Sequence, residues 1–265
     1  MTNGALTEAE RIEAAGLLRR AEADRVPIEP LSGRWPRIEA EDAYRIQLLN
    51  VAERVASGAV VRGHKVGLSS KAMQEMLGVG EPDYGHLLDD MFVFEGEEVA
   101  ADMYCMPRVE IEVGFVLGRT LAGPGCSVAD VLRATEFVMP CIEIIDSRIR
   151  DWKITLPDTI ADNASSASVV LGGTCTSPGS LDLRSVGALL RCGGEIVDTG
   201  SSGAVLGNPV TAVAWLANKV AAFGVELAAG DVILPGSCTR AHDVAAGDWI
   251  RADFDRLGHV EVRFV

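Results

Sequence analysis

The sequence predicts an α+β protein in which a helical N-terminal portion precedes a mixed, curled β-sheet. Residues 1–58 carry helical periodicity and capping signals, whereas residues 59–265 carry strand patterns broken by shorter helices. The strands follow one another irregularly and mostly without helical crossovers, which favours an α+β sheet over a doubly wound parallel one. We therefore expect a helical portion over 1–58 and a larger domain over 59–265.

Two helices are predicted in the N-terminal portion. Thr7 and Glu10 have capping-box spacing at the start of a helix that runs to Arg25. A second helix is predicted over 39–57, before Gly58, by an apolar stripe at helical spacing. The stripe consists of Tyr44, Leu48, Val51 and Val55. Four residues typical of turns mark the connector between these helices: Pro27, Pro30, Gly33 and Pro36.

Strands and shorter helices are predicted after residue 59. The clearest strand is 109–117, where apolar side chains recur at every second residue. The other predicted strands are 60–68, 141–145, 232–234 and a C-terminal hairpin over 249–265 that turns near Leu257 and Gly258. The predicted helices are 70–77, a segment from Ser127 to about Phe137, and 210–223 after Pro209.

The net charge restricts the partners of this protein. It carries a formal charge of −14 and has a sequence pI of about 4.7. Such an acidic surface repels phosphate backbones and anionic lipids, so we expect neither nucleic acid nor a membrane as a partner. An anionic substrate would require local positive charge, from a bound divalent cation or from a lysine.

The cysteine pattern favours a reducing compartment. None of the six cysteines forms a Cys-x-x-Cys pair, which is typical of reduced thiols rather than of a zinc ribbon or a redox motif. The first nine residues lack a basic start followed by an apolar run, and no uninterrupted apolar stretch reaches about 18 residues. We therefore expect a cytoplasmic protein.

Three glutamates in two predicted strands have the character of metal ligands. Glu110 and Glu112 project from one face of their strand, roughly 6.8 Å apart along it. Alone, that spacing is more typical of a solvent-facing surface. Glu143 has apolar neighbours on both faces, and a buried carboxylate requires a cation, a donor or a proton. If the three converge, they form an oxygen site suited to Mg²⁺ or Mn²⁺, but the sequence leaves this convergence open.

Three other polar segments have less specific patterns. Lys65 lies in a predicted strand between Gly63 and Gly67, where a solubilising charge on an edge strand is slightly favoured. The alternative is a cation directed into a cleft, with the glycines allowing a ligand to approach closely. Residues 81–85 resemble an ordinary turn. Residues 162–166 are typical of a cap or a turn.

Several familiar catalytic patterns are absent from the sequence. The four histidines, His64, His86, His242 and His259, lack metal-ligand spacing, so we expect each to be a surface or hydrogen-bonded side chain. No Gly-x-Ser-x-Gly occurs, which disfavours a nucleophile elbow. Neither glycine-rich nucleotide-binding pattern is found.

Taken together, these segments resemble the 2-keto-4-pentenoate hydratases, in the same order and at similar spacing. The segments that carry the resemblance are 63–70, 81–85, 108–112, Glu143 with 146–152, 161–166, 204–209, 230–231 and 247–248. Each motif alone is weak, but the ordered set is specific and covers nearly the whole chain after about residue 40. Within the family, the chain looks most like hydratases of bacterial aromatic-ring and steroid meta-cleavage catabolism, which act on 2-hydroxypenta-2,4-dienoate or a one-carbon-longer homologue.

The resemblance implies a fold, a reaction and a set of site residues. The implied fold is that of the fumarylacetoacetase C-terminal domain, a mixed β-roll over 59–265, after a helical portion over 1–58. The implied protein is a metal-dependent hydro-lyase for a small 2-hydroxy-dienoate, assembled as a homo-oligomer and able to associate with a decarboxylase. The implied metal ligands, for Mg²⁺ or Mn²⁺, are Glu110, Glu112 and Glu143. The implied substrate-binding and proton-transfer residues are Lys65, Asp83 and Ser165.

Other functions stay open beside the hydratase. A 4-oxalocrotonate decarboxylase would share the three glutamates and residues 162–166. Residues 234–240 resemble the hydratase form of that stretch, although Arg240 could pair with the second carboxylate of a decarboxylase substrate. A fumarylacetoacetase-type hydrolase is disfavoured because no His-Glu pair lies on an obvious lid segment. A non-catalytic partner of a decarboxylase is disfavoured by the intact glutamates and Lys65.

Overall fold

Helices cover most of the N-terminal portion. The computed structural model describes residues 5–265. Its N-terminal helices are α1 (Glu8–Asp24), α2 (Leu31–Arg34) and α3 (Ala40–Ala56). Thr7 caps α1 as predicted: its hydroxyl accepts a hydrogen bond from the N–H of Glu10, and the Glu10 carboxylate accepts one from the N–H of Thr7. The amide of Gln47, on α3, donates to the carbonyls of Tyr84 and Ile160, at 2.9 and 2.7 Å. Helix α3 is thus hydrogen-bonded to the part of the chain after residue 58. A domain division at residue 58 stays a prediction.

The remaining elements are mainly strands. The strands in the described part of the chain are β1 (Val61–Gly67), β2 (Asp83–Leu88), β3 (Phe92–Phe94), β4 (Glu98–Val99), β5 (Arg108–Leu117), β6 (Thr135–Ile145), β7 (Ser166–Leu171), β8 (Gly187–Cys192), β9 (Glu195–Ser201), β10 (Val232–Leu234), β11 (His242–Asp243), β12 (Trp249–Phe254) and β13 (Gly258–Phe264). The helices among them are α4 (Lys71–Leu77), α5 (Val128–Ala134), α6 (Leu156–Ala161) and α7 (Pro209–Ala221). Between residues 5 and 265, no helix has the length and apolar character that crossing a bilayer requires.

The strands form two mixed sheets. The larger sheet has the order β2-β1-β10-β5-β6-β7-β3, with β11 paired to β5, and the smaller has the order β4-β13-β12-β8-β9. Three of the strand pairs are parallel, namely β1 with β10, β3 with β7, and β4 with β13, while the others are antiparallel. Apolar side chains of both sheets, such as Ile142 and Val260, join one core. This arrangement confirms the predicted α+β fold with a mixed sheet.

The region around residue 135 differs from the prediction. The helix that Ser127 caps ends at Ala134, not near Phe137, and β6 begins at Thr135 rather than at Cys141. The reason is tertiary pairing, because β6 bonds to β5 along its length, from Leu117 opposite Thr135 onward. That ladder satisfies the backbone groups that a longer helix would otherwise have paired.

Candidate active site

The three predicted metal ligands converge at the centre of the larger sheet. Glu110 and Glu112 lie on one face of β5, and Glu143 of β6 stands directly opposite Glu110 in the antiparallel register. One carboxylate oxygen from each residue lies within 4.8 Å of the others. Glu112 and Glu143 are fully buried. The solvent-facing interpretation is therefore wrong for Glu112, whereas Glu110 is half-buried.

Hydrogen bonds compensate the buried carboxylates of this cluster only in part. One oxygen of Glu112 accepts a 2.7 Å hydrogen bond from the N–H of Gly236. Its other oxygen and both oxygens of Glu143 meet no hydrogen-bond donor in suitable geometry among residues 5–265. Burial raises the pKa of Glu143 to about 7, with Lys65 opposing the rise and Glu110 adding to it. Burial, followed by the charge of Glu143, holds the pKa of Glu112 well above its usual range.

Lys65 supplies positive charge beside the glutamates. It is buried on β1, which lies between β2 and β10, so the edge-strand interpretation is wrong. Its Nζ lies 3.4 Å from an Oε of Glu143 and donates a 2.9 Å hydrogen bond to the carbonyl of Ala164. Burial by itself lowers the pKa of Lys65, but the surrounding carboxylates, Glu143 foremost, outweigh it and raise that pKa. Lys65 is therefore an ammonium.

Asp83 lies at the start of β2 rather than in the turn that the sequence suggested. Strand pairing places it opposite Gly67 of β1, and its carboxylate is buried. A Cβ at residue 67 would lie 2.2 Å from Oδ1 of Asp83, so a larger residue here would displace the Asp83 carboxylate. Burial raises the pKa of Asp83, although the charge of Lys65 opposes the rise.

Thr159 holds Asp83 and was not predicted. Its hydroxyl donates a 3.1 Å hydrogen bond to Oδ2 of Asp83 from the buried face of α6. No spacing or motif in the sequence marks this residue. Of the glycines near Lys65, Gly63 makes room for the carbonyl of Val232, whereas Gly67 lies against Asp83 and also lines a cleft.

Ser165 lies on a strained turn at the entrance to β7. Three successive residues, Asn163, Ala164 and Ser165, have φ of 55°, 50° and 57°. Left-handed backbone is unfavourable for alanine and serine and occurs mostly where the surroundings enforce it, often at functional sites. The side chain of Asn163 donates to the carbonyl of His86 and accepts from its N–H, at 2.9 and 2.8 Å. The buried hydroxyl of Ser165 has no hydrogen-bond partner among the described residues and is available to a ligand.

A buried ion pair anchors this turn from behind. Nε of Arg148 lies 2.5 Å from Oδ1 of Asp162, and the backbone N–H of Arg148 donates to Oδ2 at 2.9 Å.

Asp162→Asn is expected to lower the free energy of unfolding by about 3 kcal/mol, because it leaves the Arg148 guanidinium buried without a counter-charge. Chemical denaturation measures this loss. Asp182→Asn, which breaks an exposed pair with Arg184, is the matched control and should change little. Equal effects of the two substitutions would contradict the anchoring role.

These residues adjoin one cleft of about 630 Å³. Its lining includes Lys65, Asp83, Glu110 and Ser165, and also Arg108, Trp152 and Arg240. Glu112 and Glu143 do not line the cleft, but a carboxylate oxygen of each lies within 4.8 Å of one from Glu110. The structure thus brings all six predicted site residues together. Their individual roles stay predictions.

The histidines are only partly as expected. His64 is buried, and neither ring nitrogen has a hydrogen-bond partner within residues 5–265, so the expectation of a surface or hydrogen-bonded side chain is wrong for it. His86 is buried but bonded, with Nδ1 3.0 Å from the side-chain oxygen of Gln47. Burial lowers the pKa of His86 to about 4 and that of His64 well below its usual range. Both rings are therefore neutral.

Comparison with known proteins identifies the family. The family model described as fumarylacetoacetate (FAA) hydrolase C-terminal matches residues 61–265. The chain belongs to this family. The 2-oxo-hept-4-ene-1,7-dioate hydratase of Escherichia coli is 44% identical over 94% of this chain and 95% of that relative. The 2-keto-4-pentenoate hydratase of Paraburkholderia xenovorans (strain LB400) is 42% identical over 98% of this chain and 96% of its own.

A solved structure of another protein has a fold similar to that of this chain. The 4-oxalocrotonate decarboxylase of Pseudomonas putida G7, complexed with magnesium and adipate, has a TM-score of 0.94 and 36% sequence identity, covering 98% of this chain and 99% of that one. Together these fumarylacetoacetate hydrolase family relatives confirm the predicted family and fold. The named hydratases also confirm the prediction of an enzyme of the hydro-lyase class.

Proposed function

We propose that this protein is a metal-dependent hydratase that adds water to 2-hydroxypenta-2,4-dienoate or a close homologue to give a 4-hydroxy-2-oxo acid. The observation that carries the proposal is the meeting of three carboxylates, two of them fully buried, with Lys65 beside a cleft. The named relatives support it, since they are hydratases of 2-oxo acids with either one or two carboxylates.

The donor set fits a divalent cation of the Mg²⁺ or Mn²⁺ class. Glu110, Glu112 and Glu143 offer only carboxylate oxygens, and the buried oxygens without donors are the atoms that a cation would satisfy. A structurally similar decarboxylase was solved with magnesium, which supports this assignment. A cation held by these residues would neutralise the substrate carboxylate and stabilise negative charge at the 2-oxygen.

The side chains around the cleft suit the two proton transfers that the reaction requires. The 2-hydroxyl loses a proton and C5 gains one, which gives a conjugated 2-oxo-enoate. Water then loses a proton as its oxygen bonds to C4, and C3 gains a proton. Lys65 and Asp83 are the proton-transfer groups, because one is a buried ammonium and burial keeps the pKa of the other high. Ser165 offers a free hydroxyl to hold a substrate oxygen.

The direct test is an assay of the purified protein alone. We expect the absorbance of 2-hydroxypenta-2,4-dienoate or its longer homologues to decrease when Mg²⁺ or Mn²⁺ is present, with 4-hydroxy-2-oxo acid as product, and to persist in excess chelator. A protein that leaves these dienoates unchanged with either metal would refute the proposal. It would then favour a decarboxylase or a non-catalytic partner.

A decarboxylase is the second candidate, and the close structural match favours considering it. Incubation with 4-oxalocrotonate and Mg²⁺ separates the two reactions, because only a decarboxylase releases CO₂. We expect no CO₂ from 4-oxalocrotonate, and hydration of the dienoate in the preceding assay. The homo-oligomeric assembly, the cytoplasmic location and the place in aromatic or steroid catabolism stay predictions.

A further inference from the structure

We infer that Thr239 is a further substrate-binding residue, whose hydroxyl donates a hydrogen bond to an oxygen of the 2-oxo acid group of the substrate. This inference rests on the proposed function, which brings that group to the three glutamates. Thr239 lies in the loop of residues 235–241, which joins β10 to β11. Its hydroxyl oxygen is buried and has no hydrogen-bond partner among residues 5–265.

Two hydrogen bonds join the start of this loop to β5. The N–H of Gly236 donates to a carboxylate oxygen of Glu112 at 2.7 Å. Two residues later, the N–H of Cys238 donates to the carbonyl of Ile111 at 2.9 Å. As the loop advances, its partners on β5 therefore run backward along the chain, from residue 112 to residue 111.

The end of the loop fixes the position of Thr239 along β5. His242, the first residue of β11, stands opposite Val109 in the antiparallel register. The residue before Thr239 is bonded at residue 111, so residues 239–241 span the position of Glu110. Thr239 and Glu110 accordingly line the same cleft.

The contacts of Thr239 fix the direction of its side chain. Its N–H donates a 3.3 Å hydrogen bond to Oγ of Ser237. A Cβ at residue 200, on β9, would lie against the carbonyl oxygen of Cys238 and 3.2 Å from Cγ2 of Thr239. Gly200 thus allows the methyl group of Thr239 to pack against β9, and the tetrahedral Cβ directs the hydroxyl away from that contact.

A free hydroxyl in this position suits the oxygens of a 2-oxo acid. The carboxylate and 2-oxo oxygens of such an acid only accept hydrogen bonds, whereas a threonine hydroxyl can donate one. The hydroxyl of Thr239 donates to none of the described residues, including the three glutamates. A buried polar atom without a partner costs free energy, and a bound acceptor recovers that cost.

The test measures the binding of 2-oxopentanoate, a saturated analogue with no double bond to hydrate. In the presence of Mg²⁺, calorimetry should show binding weakened about tenfold in Thr239→Val, which keeps the shape of the side chain and removes the hydroxyl. Thr239→Ser keeps the hydroxyl and should bind within about threefold of the wild type. Thr211→Val is the matched control, because Thr211 is an exposed threonine of α7 and should not affect binding.

A second ligand identifies the part of the substrate that Thr239 contacts. The proposed product, 4-hydroxy-2-oxopentanoate, has the same 2-oxo acid group and an added hydroxyl at C4. Thr239→Val should weaken the binding of both ligands equally. Weakening of the product alone would place the contact at C4 and overturn the inference. Wild-type affinity in Thr239→Val, or equal losses in the serine and valine variants, would also overturn it. If the valine variant does not fold, Thr239→Ala compared with Thr239→Ser decides in the same way.

These binding measurements need no turnover, so they separate this inference from the proposed function. Where the protein does hydrate 2-hydroxypenta-2,4-dienoate, Thr239→Val should raise KM about tenfold and change kcat little, because the bound substrate and the transition state make the same contact. A protein that hydrates the dienoate, and whose Thr239→Val variant binds 2-oxopentanoate like the wild type, would refute this inference and keep the proposed function.

Discussion

Glu143→Gln is expected to lower kcat/KM with Mg²⁺ by about 1,000-fold, equivalent to about 4 kcal/mol of transition-state stabilisation. Glu143 is fully buried opposite Glu110, and its oxygens lack donors in suitable geometry within residues 5–265, so an amide replaces neither its charge nor its ligand atoms. Titration of activity with Mg²⁺ should show weaker metal binding as well. Undiminished turnover and metal affinity would remove Glu143 from the metal site.

The same variant should stabilise the protein when metal is removed. Burial raises the pKa of Glu143 from 4.5 to about 7, so its ionised form disfavours folding. In excess chelator, the stability contributed by this group is therefore lost as pH rises from about 4.5 through 7. Glu143→Gln removes that loss, and its melting temperature at pH 8 should exceed that of the wild type. Mg²⁺ should then stabilise the variant less.

The matched control for both measurements is Glu136→Gln. Glu136 lies on the same strand, β6, but is exposed. The substitution makes the same chemical change without entering the carboxylate cluster, so activity and metal-free stability should stay near wild-type values. A comparable loss of activity in this control would show that the effect of Glu143→Gln is not specific to the site.

The sequence predicted the members of the carboxylate cluster better than their arrangement. Alternation along β5 was enough to place Glu110 and Glu112 on one face, and apolar neighbours were enough to bury Glu143. The register that sets Glu143 opposite Glu110 could not be predicted, because the start of β6 was hidden in an apparent helix. Register depends on pairing between strands, which a local pattern does not encode.

Long-range pairing also explains the wrong interpretations of Lys65 and Asp83. A lone lysine in a short strand is typical of an edge, but β10, which lies far along the chain, pairs with β1 and makes it an interior strand. Asp83 follows Pro82 and so resembles a turn residue, yet its pairing opposite Gly67 extends β2 to include it. Thr159 leaves no local trace, because its role depends only on its distance from Asp83.

Lys65→Met is the second substitution with a large expected effect, a decrease in kcat/KM of about 100-fold or more at saturating Mg²⁺. The ammonium is the positive charge at 3.4 Å from Glu143, and methionine fills similar space without it. Its loss should also destabilise the metal-free protein, since Glu110, Glu112 and Glu143 would then repel one another without this nearby cation. Lys219 lies on α7 and pairs with Glu81, so Lys219→Met controls for loss of a lysine ion pair.

A purely structural role for Lys65 predicts a different pattern. If the lysine only balances charge, Mg²⁺ should restore both the melting temperature and the activity of Lys65→Met. If it also holds the substrate or moves a proton, Mg²⁺ should restore stability while kcat/KM stays low. The acidic limb of the pH profile should then shift to higher pH, because Lys65 no longer lowers the pKa of Asp83. A kcat/KM within a factor of about two of the wild type, less than 0.5 kcal/mol, would assign Lys65 to the scaffold.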